Sequence, residues 1–188
     1  LFDVVVSLAL MLVTLPFLLL AVVAIVVESG FPVIYRQERV GQAGRTFTIY
    51  KLRSMRQDAE SDGKPRWAGS NDDRVTLVGR ILRKTRVDEL PQLFNVLRGD
   101  MSLVGPRPER PFFVRQLIAE IPYYDVRHSV KPGITGWSQV RYAYGASVED
   151  ALSKLEYDLY YVKNHSLFLD LLILAETAQV VLLGKGAR

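Results

Sequence analysis

Apolar and polar positions divide the chain into an apolar opening, a polar middle and an apolar close. Val4 to Val27 carries no charged residue. At about 1.5 Å per residue, a helix over this run is long enough to cross the roughly 30 Å core of a bilayer. Pro16, near its middle, removes the hydrogen bond to Leu12 and favours a kink or a break. An uncharged run of this kind suits a signal peptide, a transmembrane helix, or a helix that enters the bilayer and returns on the same side. No basic segment precedes it and no small-residue cleavage site follows, which disfavours the signal peptide. Length does not separate the other two.

Beyond Phe31-Pro32, Val33 to Val40 and Arg45 to Arg53 read as two strands around the turn Gly41-Gln-Ala-Gly44. Phe47, Ile49, Lys51 and Arg53 alternate onto one face of the second strand. Two cations that continue an apolar face mark either an exposed strand end or a wall turned toward an anion. Gln57 to Arg74 is polar and reads as a loop, in which Asp72 and Asp73 suit either a metal or, more commonly, a turn, and are left out of the site. Phe112 to Ile121 fits an amphipathic helix with Phe113, Leu117 and Ile121 inward, and a strand is predicted near Trp137 to Tyr142. Ser147 caps a helix from Val148 to about Lys163, with Leu152, Leu155 and Leu159 inward. Leu167 to Leu183 is apolar except for residues such as Asp170 and Glu176. Those two acids argue against a buried span, and in favour of a helix at a membrane interface or packed beneath the N-terminal run.

The polar middle carries the chemistry. Thr76 caps a short helix in which Leu77, Val78, Ile81 and Leu82 share one face, while Arg80, Arg83 and Lys84 form a cationic row on the other. Pro91 starts a second helix that runs to about Leu97 and stops at Gly99. Asp88 and Glu89 therefore fall at a helix N-terminus, where free N–H groups and the macrodipole favour negative charge. Adjacent carboxylates beside a row of cations suit a phosphate substrate with a divalent metal, although an Asp before a helix also serves simply as a cap. Gly99 to Pro111 is a rigid loop rich in proline, and Arg107 stands between two of its prolines. A guanidinium there is either a surface group in a turn or a bidentate phosphate ligand.

Composition narrows these options. The 188 residues suffice for one domain with a sizeable core, and with no cysteine there is no disulfide, thiolate site or cysteine nucleophile. With only two histidines, far apart, any metal is expected to be a hard ion held by oxygen. The net charge is +4, and the basic residues concentrate between Tyr35 and Arg115, which suits a nucleotide, a phospholipid surface or nucleic acid. A chain that opens on Leu1 reads as an excerpt from a longer one.

The segment from Asp88-Glu89-Leu-Pro-Gln through Val104-Gly-Pro-Arg-Pro108 resembles the signature of the bacterial sugar transferases, the monotopic polyprenyl-phosphate phosphoglycosyl transferases. Gln37 to Gly41, Tyr50 to Met55, Lys131 to Trp137 and Asp158 to Val162 are similar to further patterns of that family, in the same order along the chain. Gln139 to Gly145 resembles the subgroup linked to exopolysaccharide assembly. The resemblance implies an α+β protein. Residues 1–30 would form a re-entrant membrane helix–break–helix. Residues 31–188 would form a cytoplasmic catalytic domain with a small β-hairpin, several helices, some amphipathic at the membrane interface, and a C-terminal interfacial helix. It places the protein monotopically at the cytoplasmic face of the bacterial inner membrane.

It further implies transfer of a sugar 1-phosphate from a nucleotide diphosphate sugar, expected to be a UDP-sugar, to polyprenol phosphate. Asp88 would be the covalent nucleophile, with a pKa held low by the helix terminus and nearby cations. Glu89 would assist it, and Asp88 and Glu89 would share Mg²⁺. Lys51, Arg53, Arg83, Arg107, Arg141 and Asp158 would bind the phosphates or the nucleotide. The partners implied are the two substrates and membrane lipids, without nucleic acid; association into a homo-oligomer is left open. The competing reading is a membrane-anchored basic module that binds anionic lipid or nucleic acid without catalysis. It accounts for the anchor and the cations but leaves the adjacent carboxylates without a purpose.

Overall fold

A computed structural model describes residues 1–59, 72–142 and 147–183; most of the polar loop at 57–74 and the end of the Gln139–Gly145 motif lie outside them. The uncharged run forms one helix, α1 (Phe2–Ser29), and among the described residues it is the one helix long and apolar enough to cross a membrane. The expected break at Pro16 is not seen, because the helix continues through it. A proline costs its own N–H bond, but the turns on either side still carry the helix. Neighbouring Thr14 sends its hydroxyl back to the Leu10 carbonyl at 2.7 Å.

One stripe of α1 packs on the body of the protein along its length. Phe2, Val6 and Met11 meet a core of Leu93, Val96, Met101, Leu103 and Ile173; Leu18, Val22 and Val26 accompany buried Ala21 and Ile25 in a second cluster with Val33, Leu52 and Leu82. Both ends are tied to that body. Asp3 Oδ1 accepts from the Leu103 N–H at 3.3 Å, and Arg53 grips the carbonyls of Ser29 and Gly30. The remaining faces leave large apolar side chains exposed, including Leu12, Val13, Phe17 and Leu20.

The predicted hairpin is present as β1 (Ile34–Val40) and β2 (Thr46–Leu52), antiparallel, with Tyr35 opposite Lys51. Next come α2 (Leu77–Thr85), a 3-10 turn at Val87–Glu89, and α3 (Gln92–Arg98). The proline-rich loop holds a short strand that sequence patterning does not anticipate, β3 (Ser102–Val104), which pairs in parallel with β4 (Gly133–Thr135). Between them α4 (Pro111–Glu120) buries Phe113 and Leu117, with Ile121 just beyond it, as expected.

The strand expected near Trp137 to Tyr142 is instead a short helix, α5 (Trp137–Arg141). The chain has already spent its strand on Gly133–Thr135 and turns at Gly136, where the β3–β4 backbones approach closely: a Cβ on Gly136 would come within 2.2 Å of the Gly105 carbonyl oxygen. Helix α6 (Val148–Asn164) opens with a reciprocal capping box between Ser147 and Asp150. It buries Leu155 and packs Leu159 partly, but Leu152 faces out. Helix α7 (Leu167–Leu183) buries Leu169 and Ile173 in the main core and leaves Leu167, Phe168 and Leu171 exposed.

Candidate active site

Thr76 caps α2 as expected, its hydroxyl accepting from the Gly79 N–H at 2.9 Å, while Glu28 at the end of α1 accepts from the N–H groups of Leu77 and Val78. The helix lies against the end of β2 so tightly that a Cβ on Gly79 would sit 2.0 Å from the Ser54 carbonyl oxygen. That closeness brings Arg83 over Ser54, whose Oγ accepts from Arg83 Nε at 3.0 Å. Val78 and Leu82 face inward, but Leu77 and Ile81 on the same apolar face are exposed, and so are Arg80 and Lys84. Arg86 closes α2 in the left-handed conformation, at φ 58°, and turns the chain into the 3-10 turn that carries Asp88 and Glu89.

The two carboxylates share a turn but not an environment. Glu89 Oε1 accepts from Lys51 Nζ at 2.7 Å and Arg107 Nη2 at 3.0 Å, and Arg86 Nη1 stands 3.9 Å from its other oxygen. Burial alone would raise the Glu89 pKa, but the charges of Lys51, Arg107 and Arg86 hold it well below the ordinary carboxylate range. Burial in turn lowers the pKa of Lys51, against the pull of Glu89. Asp88 is equally buried, yet its Oδ1 has no hydrogen-bond partner. Burial and then the Glu89 charge push its pKa up to about 6, against the opposing pull of Lys51, Arg83 and Arg86. The expectation of a low pKa is thereby reversed: the turn is separate from α3, and desolvation with a like charge next door outweighs the cations.

Lys51, Arg83, Arg107 and the acid pair thus converge, through direct contact or through the charges felt at Asp88. Three other expected site residues are engaged elsewhere. Arg53 lies past the end of β2 and its Nη2 donates to Ser29 O, Ser29 Oγ and Gly30 O at 2.9, 2.8 and 2.7 Å. The last carbonyls of a helix lack intrahelical partners, and the guanidinium supplies them. Arg141 pairs with Glu176 at 2.6 Å and stacks over the Trp137 ring at 4.3 Å, joining α5 to α7. Asp158, 1% exposed, receives Arg127 Nε and Nη2 at 3.0 and 2.7 Å on one oxygen and Ser138 Oγ at 2.8 Å on the other.

Sequence reasoning misses Arg127 and Asn95. Asn95 is fully buried and completes the free edge of β2, accepting from Tyr50 N at 3.2 Å and donating to Thr48 O at 2.8 Å. It thereby fixes α3, which follows the acid pair, against the strand that carries Lys51. A polar residue facing inward on a short helix was the only available signal.

The chain matches the "Bacterial sugar transferase" family over residues 1–184. It belongs to that family. Among the relatives of this family member, a "UDP-N-acetylgalactosamine-undecaprenyl-phosphate N-acetylgalactosaminephosphotransferase" of Aeromonas hydrophila is 53% identical over 173 residues, covering 92% of this chain and 41% of that protein. The "Uncharacterized sugar transferase EpsL" of Bacillus subtilis (strain 168) is 41% identical over 99% of this chain and 88% of its own length. A "UDP-glucose:undecaprenyl-phosphate glucose-1-phosphate transferase" of Klebsiella pneumoniae is 42% identical over 98% of this chain and 40% of that protein. This sugar transferase chain therefore spans well under half the length of two of these relatives.

Among the described residues no group of three or more acids or histidines forms a ready-made metal cage. A divalent ion at this site would rest on Asp88 and Glu89. Two carboxylates suit Mg²⁺, which takes one or two from a protein and the rest of its ligands from water and substrate phosphates. The orphaned Asp88 Oδ1 is an oxygen ligand of the right kind with no hydrogen-bond partner.

Proposed function

We propose that the protein transfers a sugar 1-phosphate from a UDP-sugar to a polyprenol phosphate, through a covalent intermediate on Asp88, at the cytoplasmic face of the bacterial inner membrane. The observation that carries the proposal is the asymmetry of the acid pair: Glu89 is held by cations while the buried Asp88 keeps an oxygen without a partner. The names of the relatives supply the substrate class.

In the first step an Asp88 oxygen attacks the sugar-bearing phosphorus of the donor. The bond from that phosphorus to the bridging oxygen breaks, and the nucleoside monophosphate leaves with the electron pair. In the second step a phosphate oxygen of the polyprenol phosphate attacks the same phosphorus and Asp88 departs, leaving a polyprenyl diphosphosugar. At pH 7 a carboxyl with a pKa of about 6 is mostly ionised, and it is more basic than an ordinary aspartate. Lys51, Arg83 and Arg107, gathered about the acid pair, would take up the negative charge of the phosphoryl oxygens, where fixed cations lower the barrier. Mg²⁺ held by Asp88 and Glu89 would supply further charge neutralisation on the diphosphate.

The anchoring supports access from one side of the membrane. Asp3 and Ser29, near opposite ends of α1, are both tied to the body that carries the acid pair. A lipid acceptor and a soluble donor would then meet at the same carboxylates, and the product would initiate exopolysaccharide or other glycoconjugate assembly. The basic binding-module reading fares worse, since it leaves the buried Asp88–Glu89 pair without a purpose.

The test is to incubate the protein with UDP-sugar labelled in the sugar phosphate, with Mg²⁺ and without acceptor. A labelled adduct on the peptide containing Asp88, discharged by polyprenol phosphate, is expected. Steady release of UMP with acceptor but no trappable adduct would point to direct transfer without the covalent step. No release with any UDP-sugar would remove the transferase reading for this donor class.

A further inference from the structure

Arg107 is the one site cation borne on a proline-flanked loop, and every carbonyl from Pro106 to Glu109 is pinned. Gly133 N donates to Pro106 O at 3.0 Å, Arg127 Nη2 to Arg107 O at 2.9 Å, Arg39 Nη1 to Pro108 O at 3.0 Å and Val40 N to Glu109 O at 2.9 Å. The pin on Arg107 itself is thus a side chain, and that side chain is fixed in turn. Arg127 lays Nε and Nη2 on Asp158 Oδ2, reaches Tyr124 Oη with Nη1 at 3.3 Å, and is 5% exposed; Ser138 holds the other oxygen of Asp158.

We propose that Asp158 and Arg127 form a buried strut whose function is to position Arg107 on Glu89. The proposal rests on the transferase reading above. Asp158 thereby changes from a group expected to touch substrate to one that acts through two others. A fully buried ion pair contributes little net stability compared with apolar residues of the same volume. What this pair provides is a guanidinium held rigidly enough to leave one N–H aimed at the Arg107 carbonyl. With its carbonyl fixed from one side and its backbone steered to the extended region by the following Pro108, Arg107 presents Nη2 to Glu89 Oε1 at 3.0 Å. Displacement of a positioning group by about 1 Å is enough to cost roughly 100-fold in rate.

The test is a double-mutant cycle on the whole chain in detergent or nanodiscs. Ser138→Ala removes one support from Asp158, and Asp158→Asn weakens the strut itself; each is made in the wild-type and the Arg107→Ala backgrounds. Expected is a fall in kcat/KM of roughly 3- to 10-fold for Ser138→Ala and about 100-fold for Asp158→Asn. Neither should cause a further loss once Arg107 is absent. Losses that multiply with that of Arg107→Ala would overturn the strut and leave Asp158 a structural residue. If Asp158→Asn fails to fold, Ser138→Ala carries the cycle.

A second readout does not depend on turnover. The Arg107 Nε–H resonance, assigned by its disappearance in Arg107→Ala, should exchange faster with solvent in Ser138→Ala. An unchanged exchange rate overturns the strut even if the wild type transfers no sugar phosphate, an outcome that would separately defeat the transferase reading.

Discussion

Asp88 and Asp158 are both buried acids beside arginines, 6% and 1% exposed, and they differ in how completely they are paired. Asp158 has two N–H donors from Arg127 on one oxygen and a hydroxyl on the other. Asp88 has an oxygen with no partner, and an ionised Glu89 at the next position takes the nearest cations for itself. Burial penalises a charge in both places, but at Asp158 both oxygens are hydrogen-bonded, whereas at Asp88 the nearby cations answer only in part. The comparison teaches that burial next to arginine does not make a carboxylate reactive. The proposed nucleophile is set apart instead by an unmet hydrogen-bonding capacity and a neighbouring like charge.

The largest effects should separate the two residues by sign. Asp88→Asn is expected to reduce turnover by on the order of 10⁴-fold, since it removes the proposed nucleophile. It should also stabilise the fold at pH 8. The folded pKa of Asp88, about 6, lies above its unfolded value, so its contribution to stability is full below about pH 4 and is lost as pH rises through 6. At pH 8 the ionised group costs the fold up to about 3 kcal/mol, which an amide does not. Asp158→Asn should destabilise by about 3–5 kcal/mol, because it leaves Arg127 buried without its counter-charge. Thermal melts of both variants at pH 8 check this, and a lowered Tm for Asp88→Asn would mean that Asp88 is as well paired as Asp158.

The next effect is in the pH dependence. If catalysis needs ionised Asp88, kcat/KM should climb through about pH 6 and stand roughly tenfold below its plateau at pH 5. Glu89→Gln removes the like charge and frees Lys51 and Arg107 to act on Asp88, so any residual activity should show its midpoint moved toward lower pH. A midpoint that stays at 6 would assign the titration to another group.

Much of this arrangement was legible in the chain because it depends on local chemistry. The Thr76 cap, the Gly99 stop at φ 88°, the Ser147 capping box and the hairpin all follow from residues within a few positions of one another. Alternation puts Lys51 on a face that suits an exposed strand end or a wall turned toward an anion, and it does not reveal the contact with Glu89. Long-range geometry escaped. The parallel β3–β4 pair joins segments some thirty residues apart with only three residues each, too short for a period to show. Arg53 carries the right charge for a phosphate site and Asp158 sits in a family pattern, but alternation and that pattern do not reveal that a helix end or a buried arginine has already claimed them. The Asp88 pKa was misjudged for the same reason, since desolvation depends on what covers the turn.

The smallest effect concerns the residue that connects the two acids. Arg107 offers its carbonyl to the Arg127–Asp158 pair and its guanidinium to Glu89. Arg107→Lys keeps the main-chain link, so the strut should persist and the Tm should barely move. It also keeps one positive charge, so Glu89 should remain ionised. What it removes is the planar fork that can hold a carboxylate and a phosphate oxygen at once. One charge-assisted hydrogen bond is worth about 1.5 kcal/mol or more, so a loss of roughly tenfold at most is expected if the lysine recovers part of the contact. If Arg107 works mainly on the transition state, kcat and kcat/KM should fall together; a rise in KM alone would make it a ground-state ligand of the donor. Wild-type kinetics would leave Arg107 a counter-ion of Glu89 that never reaches a phosphate, and the strut behind it would then serve to keep Glu89 charged rather than to hold substrate.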